Sequence, residues 1–524
     1  MNLGLGYESF EDLRADQCYY VDKTDLLYKM IKDGRYYFLS RPKGFGKSLL
    51  VSTLECLFEG KKELFKGLYI EDKWDWSQKY PVVRLNFTGC NRYTDGPESD
   101  IDEQLSDYEE NHDFDPDDVS GNRGRFRFRR LIKHLHNKTG KQVVVLVDEY
   151  DAPILDVITD EDLAKKNRDY LRYFYREIKR CSCAKYIRFV FVTGITMFSE
   201  DNIFAGLDNL EDISLDPVFS SICGYTDHDI DTVFSEQIKN LDRKEIKLRC
   251  NGYSWLGEKK VYNPFCMLFL FRKKGPGDWW SETGTPQYLY ECLVKFNSVS
   301  LKDVEDCWID RTALTQFEVD SAIPQAIFFQ AGYLTIVDKK RENSRTQYLL
   351  EYPNLEMRNG AYYGLLEYLT GDFDKAKKQG ETLVSFLANN NFDGFKETFY
   401  AFLSSIPYEN KKKSNVKGYY NSIIQGMLYA IGIEYNAEKS SSLGKCDLVI
   451  FYKHQVFVVE FKMQRLHQKV GIALKEAIQH IKDCHYVDEY KKLKKPIHLL
   501  AMVFSKEERN IVGILHEKCD YDSA

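Results

Sequence analysis

The sequence lacks an excess of basic charge, an apolar run long enough to cross a bilayer, and paired cysteine motifs of the zinc-binding type. It has 73 Lys and Arg against 80 Asp and Glu, a net charge of −7, so any contact with nucleic acid must come from a local patch. No apolar run approaches the ~18 residues of a membrane span, and the N-terminus lacks the pattern of a signal peptide. We therefore expect an intracellular protein, cytoplasmic or nuclear, without a membrane partner.

The 13 cysteines are scattered along the chain, which indicates free thiols and a reducing compartment. Cys181 and Cys183 form a lone C-x-C that we interpret as structural. The 524 residues are too many for one core, and length alone suggests about three domains of roughly 150 residues. Because 43% of the residues are apolar, each domain can bury a core of its own.

The order of the periodic segments predicts an α/β protein. Over residues 1–223, short apolar strands alternate with helices, which is typical of a parallel sheet covered on both faces. Within this region, residues 95–118 contain twelve Asp or Glu and no Lys or Arg, and we expect a solvated acidic insertion with at most one helix. Residues 224–370 are mostly helical and aromatic, which predicts a lid or connecting domain. Residues 371–524 return to an α/β pattern, with two strands in 447–463 joined by a tight turn at Lys453 and His454.

The stretch "SRPKGFGKSLL", residues 40–50, is typical of a phosphate-binding loop between a strand and a helix. Gly44 and Gly46 allow the tight backbone, Lys47 can reach the outer phosphates of a nucleotide, and the Ser48 hydroxyl can ligate Mg²⁺. The usual pattern has an early glycine where this chain has Arg41. The predicted nucleotide-binding residues of this loop are Arg41, Lys43, Gly44, Phe45, Gly46, Lys47, Ser48 and Leu49.

A pair of carboxylates follows at the end of a later apolar strand, residues 143–147. Asp148 can hold Mg²⁺ through water, and Glu149 can orient or deprotonate the water that attacks the nucleotide. The phosphate-binding loop and the Asp148–Glu149 pair follow one another in the order expected for a nucleotide site. Thr193, in the next buried strand, could sense the γ-phosphate or simply cap the strand.

A second charged group lies in the C-terminal hairpin. Asp447 begins one strand, and Glu460 and Lys462 lie near the end of the next, two residues apart and therefore on the same face. Two carboxylates can hold Mg²⁺, which polarises a phosphodiester, and the lysine can steady the attacking water or the phosphate. Solvated strand ends give the same spacing, but charges inside an apolar β run are costly to bury without partners. Gln479, on the helix that follows, could approach the phosphate.

Four segments of the N-terminal region resemble the AAA-ATPase-like family, whose members often carry a nuclease-related domain at the C-terminus. They are "YYVDKTDLL", "FLSRPKGFGKSLLVSTL", "VVVLVDEYDAPI" and "FVTGITMFS", and the similarity spans about residues 1–290. The loop of that family begins Arg-Pro, so Arg41 resembles a family variant. Pro42 cannot donate to a phosphate, whereas Arg41 or Lys43 could add charge. The resemblance implies ATP and Mg²⁺ as ligands and carries over Lys47, Ser48, Asp148, Glu149 and Thr193.

The C-terminal region resembles the PD-(D/E)XK nuclease superfamily over about residues 415–515. The segments "CDLVI", "VFVVEFKM", "ALKEAIQHI" and "AMVFSKEERNI" stand in the expected order. The resemblance carries over Asp447, Glu460, Lys462 and Gln479. Relatives commonly have an acidic residue just before the helix that begins "YYNSII", where this chain has Lys417 and Gly418. Glu438 could substitute for it, and a missing third carboxylate would leave room for weak or lost cleavage.

These patterns favour an ATP-driven nuclease that acts on nucleic acid, with DNA expected ahead of RNA. The alternative is a switch protein that binds ATP, changes conformation or forms a homo-oligomer, and holds nucleic acid without cutting it. A plain scaffold is the least favoured reading, because it would produce both motif sets by chance. The basic segments 410–417 and 491–496 match phosphate contacts and solvated surface equally well.

Overall fold

The computed structural model describes residues 2–89, 96–112, 114, 124–158, 160–179, 184–197, 203–204, 207, 209–275, 289–291, 293, 301–305, 307–315, 323–342, 345–406, 417–440 and 445–519. The chain divides into two compact units. The first comprises residues 1–279 and 307–357, and the second comprises residues 280–306 and 358–524. Within the described residues, no helix has both the length and the apolar character needed to span a bilayer.

Helices and strands alternate along the described chain. The helices are α1 (Phe10–Ala15), α2 (Thr24–Asp33), α3 (Lys47–Phe58), α4 (Pro97–Asn111), α5 (Gly124–Thr139), α6 (Ala152–Leu155), α7 (Glu161–Lys179), α8 (Asp227–Val233), α9 (Ser235–Ile238), α10 (Arg243–Cys250), α11 (Pro264–Lys273), α12 (Leu301–Val304), α13 (Arg311–Thr315), α14 (Pro324–Gln330), α15 (Leu355–Thr370), α16 (Phe373–Ala388), α17 (Phe392–Ser405), α18 (Lys417–Ala430), α19 (Val470–Asp483) and α20 (Asp488–Lys491). The strands are β1 (Tyr36–Ser40), β2 (Val82–Asn86), β3 (Val143–Asp148), β4 (Ile187–Gly194), β5 (Glu211–Asp212), β6 (Cys307–Asp310), β7 (Thr335–Glu342), β8 (Arg345–Glu351), β9 (Glu434–Ser440), β10 (Lys445–Tyr452), β11 (Gln455–Met463), β12 (Ile497–Ser505) and β13 (Asn510–Cys519).

A five-stranded parallel sheet, ordered β2-β3-β4-β1-β5, forms the centre of the first unit. Every residue of β3 is buried, as expected for a run of valine and leucine in a sheet covered on both faces. The register pairs Ser40 with Gly194 and Asn86 with Asp148, so the carboxyl ends of four strands meet at one edge. The predicted α/β fold with a parallel sheet is confirmed.

The acidic insertion contains one helix, α4, which is partly buried rather than fully solvated. It covers the outer edge of β2 with two side chains. Gln104 exchanges hydrogen bonds with the backbone N–H and C=O of Asn86 at 2.8 and 2.9 Å, and Tyr108 does the same with Arg84 at 2.8 and 3.1 Å. These bonds satisfy backbone groups that an edge strand would otherwise expose. The remainder of the predicted insertion, apart from Gly96, His112 and Phe114, lies outside the described residues.

The middle of the chain is mainly helical, as predicted, and runs through α8 to α14. It also contains a three-stranded antiparallel sheet, ordered β6-β8-β7, that the sequence patterns did not predict. This sheet falls in the first unit. Strand β7 carries charged side chains over most of its length and is exposed there, so it lacks the apolar alternation that marks a half-buried strand.

The second unit contains a mixed five-stranded sheet, ordered β13-β12-β11-β10-β9, in which only β11 and β12 among these strands run parallel. The predicted hairpin between β10 and β11 is confirmed: Tyr452 pairs with Gln455 across a two-residue turn, and Lys453 has φ 52°. Helix α19 packs against β11, β12 and β13. This arrangement places the carboxyl end of β11 beside α19.

The predicted boundaries at 223/224 and 370/371 stay predictions, and the compact units of the structure divide the chain elsewhere. Helix α15 contributes much of its length to the second unit. There the Tyr362 hydroxyl donates to Gln425 at 3.2 Å, and a side chain added at Gly426 would meet Leu366 at 3.2 Å. A fragment that begins at residue 371 would lose these contacts with α18.

Candidate functional sites

The phosphate-type loop joins β1 to α3, and its backbone is set by two glycines with positive φ, 78° at Gly44 and 87° at Gly46. A Cβ at Gly44 would lie 3.1 Å from the Cβ of Phe265 and 3.3 Å from the Asn263 amide, so a side chain there would clash as well as strain the backbone. Phe265 also donates its N–H to the Gly44 carbonyl at 3.3 Å. The loop is therefore held from behind by the start of α11.

Lys47, the first residue of α3, is buried among carboxylates. Its Nζ lies 3.2 Å from Glu149 Oε1 and 3.4 Å from the Pro42 carbonyl oxygen. Burial opposes the charge of Lys47, but Glu149, Asp148 and Asp151 outweigh burial and raise its pKa. The structure thus brings together the lysine and the two carboxylates that the sequence patterns placed in one nucleotide site.

Asp148 ends β3 and is fully buried. Burial and the charge of Glu149 raise the pKa of Asp148, while nearby Ser48, Lys47 and Arg84 oppose the rise. Neither Asp148 oxygen has a hydrogen-bond partner of good geometry among the described residues, and Arg84 Nη2 lies 3.8 Å from Oδ2. A buried carboxylate with spare oxygens beside a serine hydroxyl offers the oxygen ligands that Mg²⁺ prefers, so these residues fit the ion.

Glu149 adopts φ 50°, a left-handed conformation that is uncommon outside glycine. Its carbonyl accepts a hydrogen bond from Ala152 N–H at 3.0 Å, which closes the turn into α6. The side chain remains 19% exposed, in contrast to its buried neighbours. Glu149 is therefore placed where a water molecule can reach it.

Asp151 belongs to the same turn, and sequence reasoning missed it. Its carboxylate accepts hydrogen bonds from Ile195 N–H at 3.0 Å and from the backbone and hydroxyl of Thr196, each at 2.6 Å. Burial and the charge of Glu149 raise the pKa of Asp151 to about 6. Gly194 leaves room for this carboxylate, since an added Cβ would lie 2.4 Å from Oδ1. The available signal was Asp151 itself, the third acidic residue of "DEYD". Its hydrogen bonds connect the segment after β3 to the segment after β4.

Arg41 does not project into the loop. It is fully buried, with its guanidinium 4.2 Å from the Trp255 ring centroid. Its Nη1 donates to the carbonyls of Ser40 and Ser214, both at 2.8 Å, and burial lowers its pKa to about 10. The Nη1 and Nη2 donors of Arg41 bond backbone carbonyls, and its predicted role at the phosphates stays a prediction.

Phe45 also packs inward, with ring centroids 4.8 Å from Tyr253 and 5.1 Å from Trp255. The predicted contact of Phe45 with the nucleotide would therefore be made by its backbone. The same holds for Leu49 in the first turn of α3. Lys43 is exposed, and the Asn263 amide donates to its carbonyl at 3.3 Å. Thr193 is buried and donates its hydroxyl to the Leu39 carbonyl at 2.7 Å, so its sensor role stays a prediction.

The C-terminal group is built by the β10–β11 hairpin. Leu448 pairs with Val459, and continuing this register by one residue sets Asp447 opposite Glu460. Asp447 Oδ2 accepts a hydrogen bond from Phe461 N–H at 2.7 Å, which fixes the carboxylate across the strand pair. The hairpin therefore brings Asp447 next to the Glu460–Lys462 segment, as the sequence spacing predicted.

Glu460 is almost fully buried and lies close to a lysine and a histidine. Its Oε1 lies 3.3 Å from Lys462 Nζ and 3.3 Å from His480 Nδ1. Lys462 and His480 are 33% and 40% exposed, so one side of the group reaches solvent. Sequence reasoning missed His480. Its position directly after Gln479, on the helix beside β11, was the available signal.

A cavity of about 340 Å³ opens on this group. Lys462, Gln479 and His480 line it, and Gln479 Nε2 donates to Asp483 Oδ1 at 2.8 Å. Glu460 contacts Lys462 and His480 of the cavity wall, and carboxylate oxygens are suitable Mg²⁺ ligands, so Asp447 and Glu460 fit the ion. Lys417 and Gly418 begin α18, and their side chains lie outside the described structure, as does that of Glu438 on β9.

Comparison with known proteins agrees with this architecture. Residues 4–204 match the family described as a predicted AAA-ATPase, and residues 416–513 match the PD-(D/E)XK nuclease superfamily. The chain belongs to the AAA-ATPase-like family and also contains a PD-(D/E)XK nuclease-superfamily domain. It is 39% identical over 521 residues to the "Uncharacterized protein in vnfD 5'region" of Azotobacter chroococcum mcd 1, an alignment that covers 98% of each chain. Both resemblances drawn from the sequence are confirmed.

Proposed function

We propose that the protein binds and hydrolyses ATP with Mg²⁺ and couples this reaction to metal-dependent cleavage of nucleic acid, DNA ahead of RNA. The observation that carries the proposal is the charge arrangement at the carboxyl edge of the parallel sheet. There Lys47 lies 3.2 Å from Glu149, beside a fully buried Asp148 with spare oxygens. The free cysteines of the described residues agree with an intracellular location.

In the nucleotide site, the backbone N–H groups of residues 43–49 would cradle the phosphates at the start of α3. Lys47 would exchange its contact with Glu149 for the β- and γ-phosphates, since a buried ammonium needs an anionic partner. Glu149, once released, would accept a proton from the attacking water. Mg²⁺ held by Ser48 and Asp148 would neutralise phosphate charge.

In the C-terminal site, Asp447 and Glu460 would hold Mg²⁺, which would lower the pKa of water for attack on a phosphodiester. Lys462 lies on the same face and would orient the phosphate or the attacking water. Gln479, from the cavity wall, would donate to a phosphate oxygen. The exposed lysines of the segment 491–496, Lys492 and Lys494, are available to contact the nucleic acid backbone.

A second candidate function is an ATP-dependent switch that holds nucleic acid without cutting it. It is favoured by the lack of an acidic residue at 417–418 and by the contacts that Glu460 already makes with Lys462 and His480. In that case the cavity would accept a phosphate group and no hydrolysis would follow.

The experiment that tests the proposal measures both activities on the full chain. We expect Mg²⁺-dependent release of phosphate from ATP, and Mg²⁺- or Mn²⁺-dependent nicking of DNA that Asp447→Ala abolishes while ATP turnover continues. Nicking that persists in Asp447→Ala would point to a contaminant and contradict the nuclease assignment. DNA binding without nicking in the unmodified protein would leave the switch as the function.

A further inference from the structure

Two cysteines and a glutamate meet in the interior of the first unit, away from the charged groups described above. Cys250 ends α10, Cys266 lies on α11, and Glu356 is in the first turn of α15. All three are buried, with exposures of 2%, 3% and 2%. Cys266 Sγ is 3.0 Å from Cys250 Sγ and 2.9 Å from Glu356 Oε2, and Cys250 Sγ is 3.8 Å from the same oxygen.

A fourth polar group lies near this cluster. Tyr253 is 1% exposed, and its hydroxyl has no hydrogen-bond partner among the described residues. Burial, together with Cys266, Glu356, Tyr333 and Cys250, raises the pKa of its phenol far above the ordinary value. A buried hydroxyl without a partner is costly, which indicates a ligand that it would contact.

We propose that Cys250, Cys266 and Glu356 form a binding site for a thiophilic divalent cation of the Zn²⁺ class, with the Tyr253 hydroxyl facing the cation or a water bound to it. Thiolates and a carboxylate are ordinary Zn²⁺ ligands, and their ligand atoms here lie within 4.8 Å of one another. Zn–S bonds of about 2.3 Å in a tetrahedral site set the sulfurs about 3.7 Å apart, so the two thiols would separate by about 0.7 Å.

A disulfide is the competing outcome, and the carboxylate argues against it. The thiol of Cys266 faces Glu356 Oε2 as a donor, and oxidation to a disulfide would remove that donor from a buried carboxylate. A bound cation would instead take the place of the thiol proton and neutralise the charge of the Glu356 carboxylate. The hydrogen bond to Cys250 and burial hold the pKa of the Cys266 thiol well above its ordinary value. Binding of the cation would therefore release thiol protons.

Occupancy of this site would act on the phosphate loop, because the same residues support it. The Tyr253 ring packs on Phe45, and α11 presents Asn263 and Phe265 to the backbone of Lys43 and Gly44. Cys266 follows Phe265 directly on this helix. A bound cation would fix the ends of α10, α11 and α15 together and so stiffen the wall behind the loop.

The test is a Co²⁺ titration of the full chain in excess Mg²⁺, after chelator and reductant have been removed. We expect about one equivalent of Co²⁺ to give a thiolate-to-cobalt charge-transfer band that Zn²⁺ abolishes. Cys266→Ser should lose the band, and Cys18→Ser, which changes another buried free cysteine, should keep it. Tyr253→Phe should weaken affinity about 10–100-fold, the usual effect of losing a supporting contact.

The absence of a thiolate band in the unmodified protein would overturn the proposal, even if the serine variants failed to fold. A band that survives in both Cys250→Ser and Cys266→Ser would also overturn it, since other cysteines would then be the ligands. So would mass spectrometry that found Cys250 and Cys266 joined as a disulfide in freshly purified protein. Neither the cobalt band nor the mass spectrum depends on ATP turnover. A negative result would therefore contradict the cation site without contradicting the proposed function.

Discussion

The two candidate sites are built in opposite ways. The nucleotide site gathers residues from the loop after β1, the ends of β3 and β4, and the segment between α10 and α11 that carries Trp255 and Asn263. Its lysine is 3% exposed. The C-terminal site takes Asp447, Glu460 and Lys462 from one hairpin, with Gln479 and His480 from the adjacent helix, and opens on a cavity.

This difference determines what each site depends on. The nucleotide site depends on the whole sheet, because parallel strands can meet at one edge only when the crossover helices have packed. The hairpin site depends on a local register, in which a slip of one residue would turn Glu460 and Lys462 to the other face. Substitutions in the first site should therefore affect stability and activity together, and substitution of the partly exposed Lys462 in the second should affect activity alone.

The strongest test of this contrast is Lys47→Ala, for which we expect loss of ATP binding. No other cation among the described residues lies within ion-pair distance of Glu149, so the substitution also leaves Glu149 without a counter-charge. The measurement is nucleotide affinity together with thermal unfolding. Lys62→Ala, an exposed lysine beyond the same helix, should change neither quantity. Unchanged ATP affinity in Lys47→Ala would refute the nucleotide site.

The next largest effect is expected for Glu149→Gln, which should keep ATP binding and reduce hydrolysis by roughly 10²–10⁴-fold. The amide preserves the shape of the side chain but cannot take a proton from water. The measurement is single-turnover hydrolysis alongside nucleotide affinity. Turnover near that of the unmodified protein would mean that another group, with Asp151 the nearest candidate, positions the water.

Lys462→Ala should reduce DNA cleavage by about 10²–10³-fold, the range for loss of one group that stabilises the transition state. Because Lys462 is 33% exposed, thermal stability should stay nearly unchanged, in contrast to Lys47→Ala. Lys453→Asn serves as the control, since it removes a lysine from the turn of the same hairpin and asparagine tolerates its φ of 52°. Equal losses in the two variants would indicate a general charge effect rather than a site.

Local patterns in the sequence predicted the parts of these sites that local structure forms. The glycines and lysine of residues 44–47 and the Asp447–Glu460 spacing each lie within one turn or one hairpin. Sequence reasoning could not place Arg41 against Trp255 or Asp151 against Thr196, because those contacts join residues that only the tertiary fold brings together. It also missed the sheet of β6, β7 and β8, whose most exposed strand has no apolar face to detect. Long-range packing thus decided which side chains of the predicted loop are buried in the core, as Arg41 and Phe45 are.

The smallest expected effect concerns acid stability and should arise in the second unit. His498 Nδ1 lies 2.8 Å from His516 Nε2, a contact that needs at least one neutral ring, and burial lowers the pKa of His498 to about 4. Unfolded histidine titrates near pH 6.5, so the unfolded chain binds this proton first as pH falls. Stability is therefore complete above about pH 6.5 and declines between 6.5 and 4, by on the order of 1–2 kcal/mol because solvent reaches the partly exposed His516.

The measurement is urea unfolding at pH 7 and pH 5, compared between the unmodified chain and His498→Gln. Glutamine keeps a hydrogen-bonding group but does not titrate, so the loss of stability on acidification should be smaller in that variant. His485→Gln removes a histidine whose side chain is 64% exposed and should behave like the unmodified chain. An equal acid response in all three proteins would show that the His498–His516 pair does not couple folding to pH.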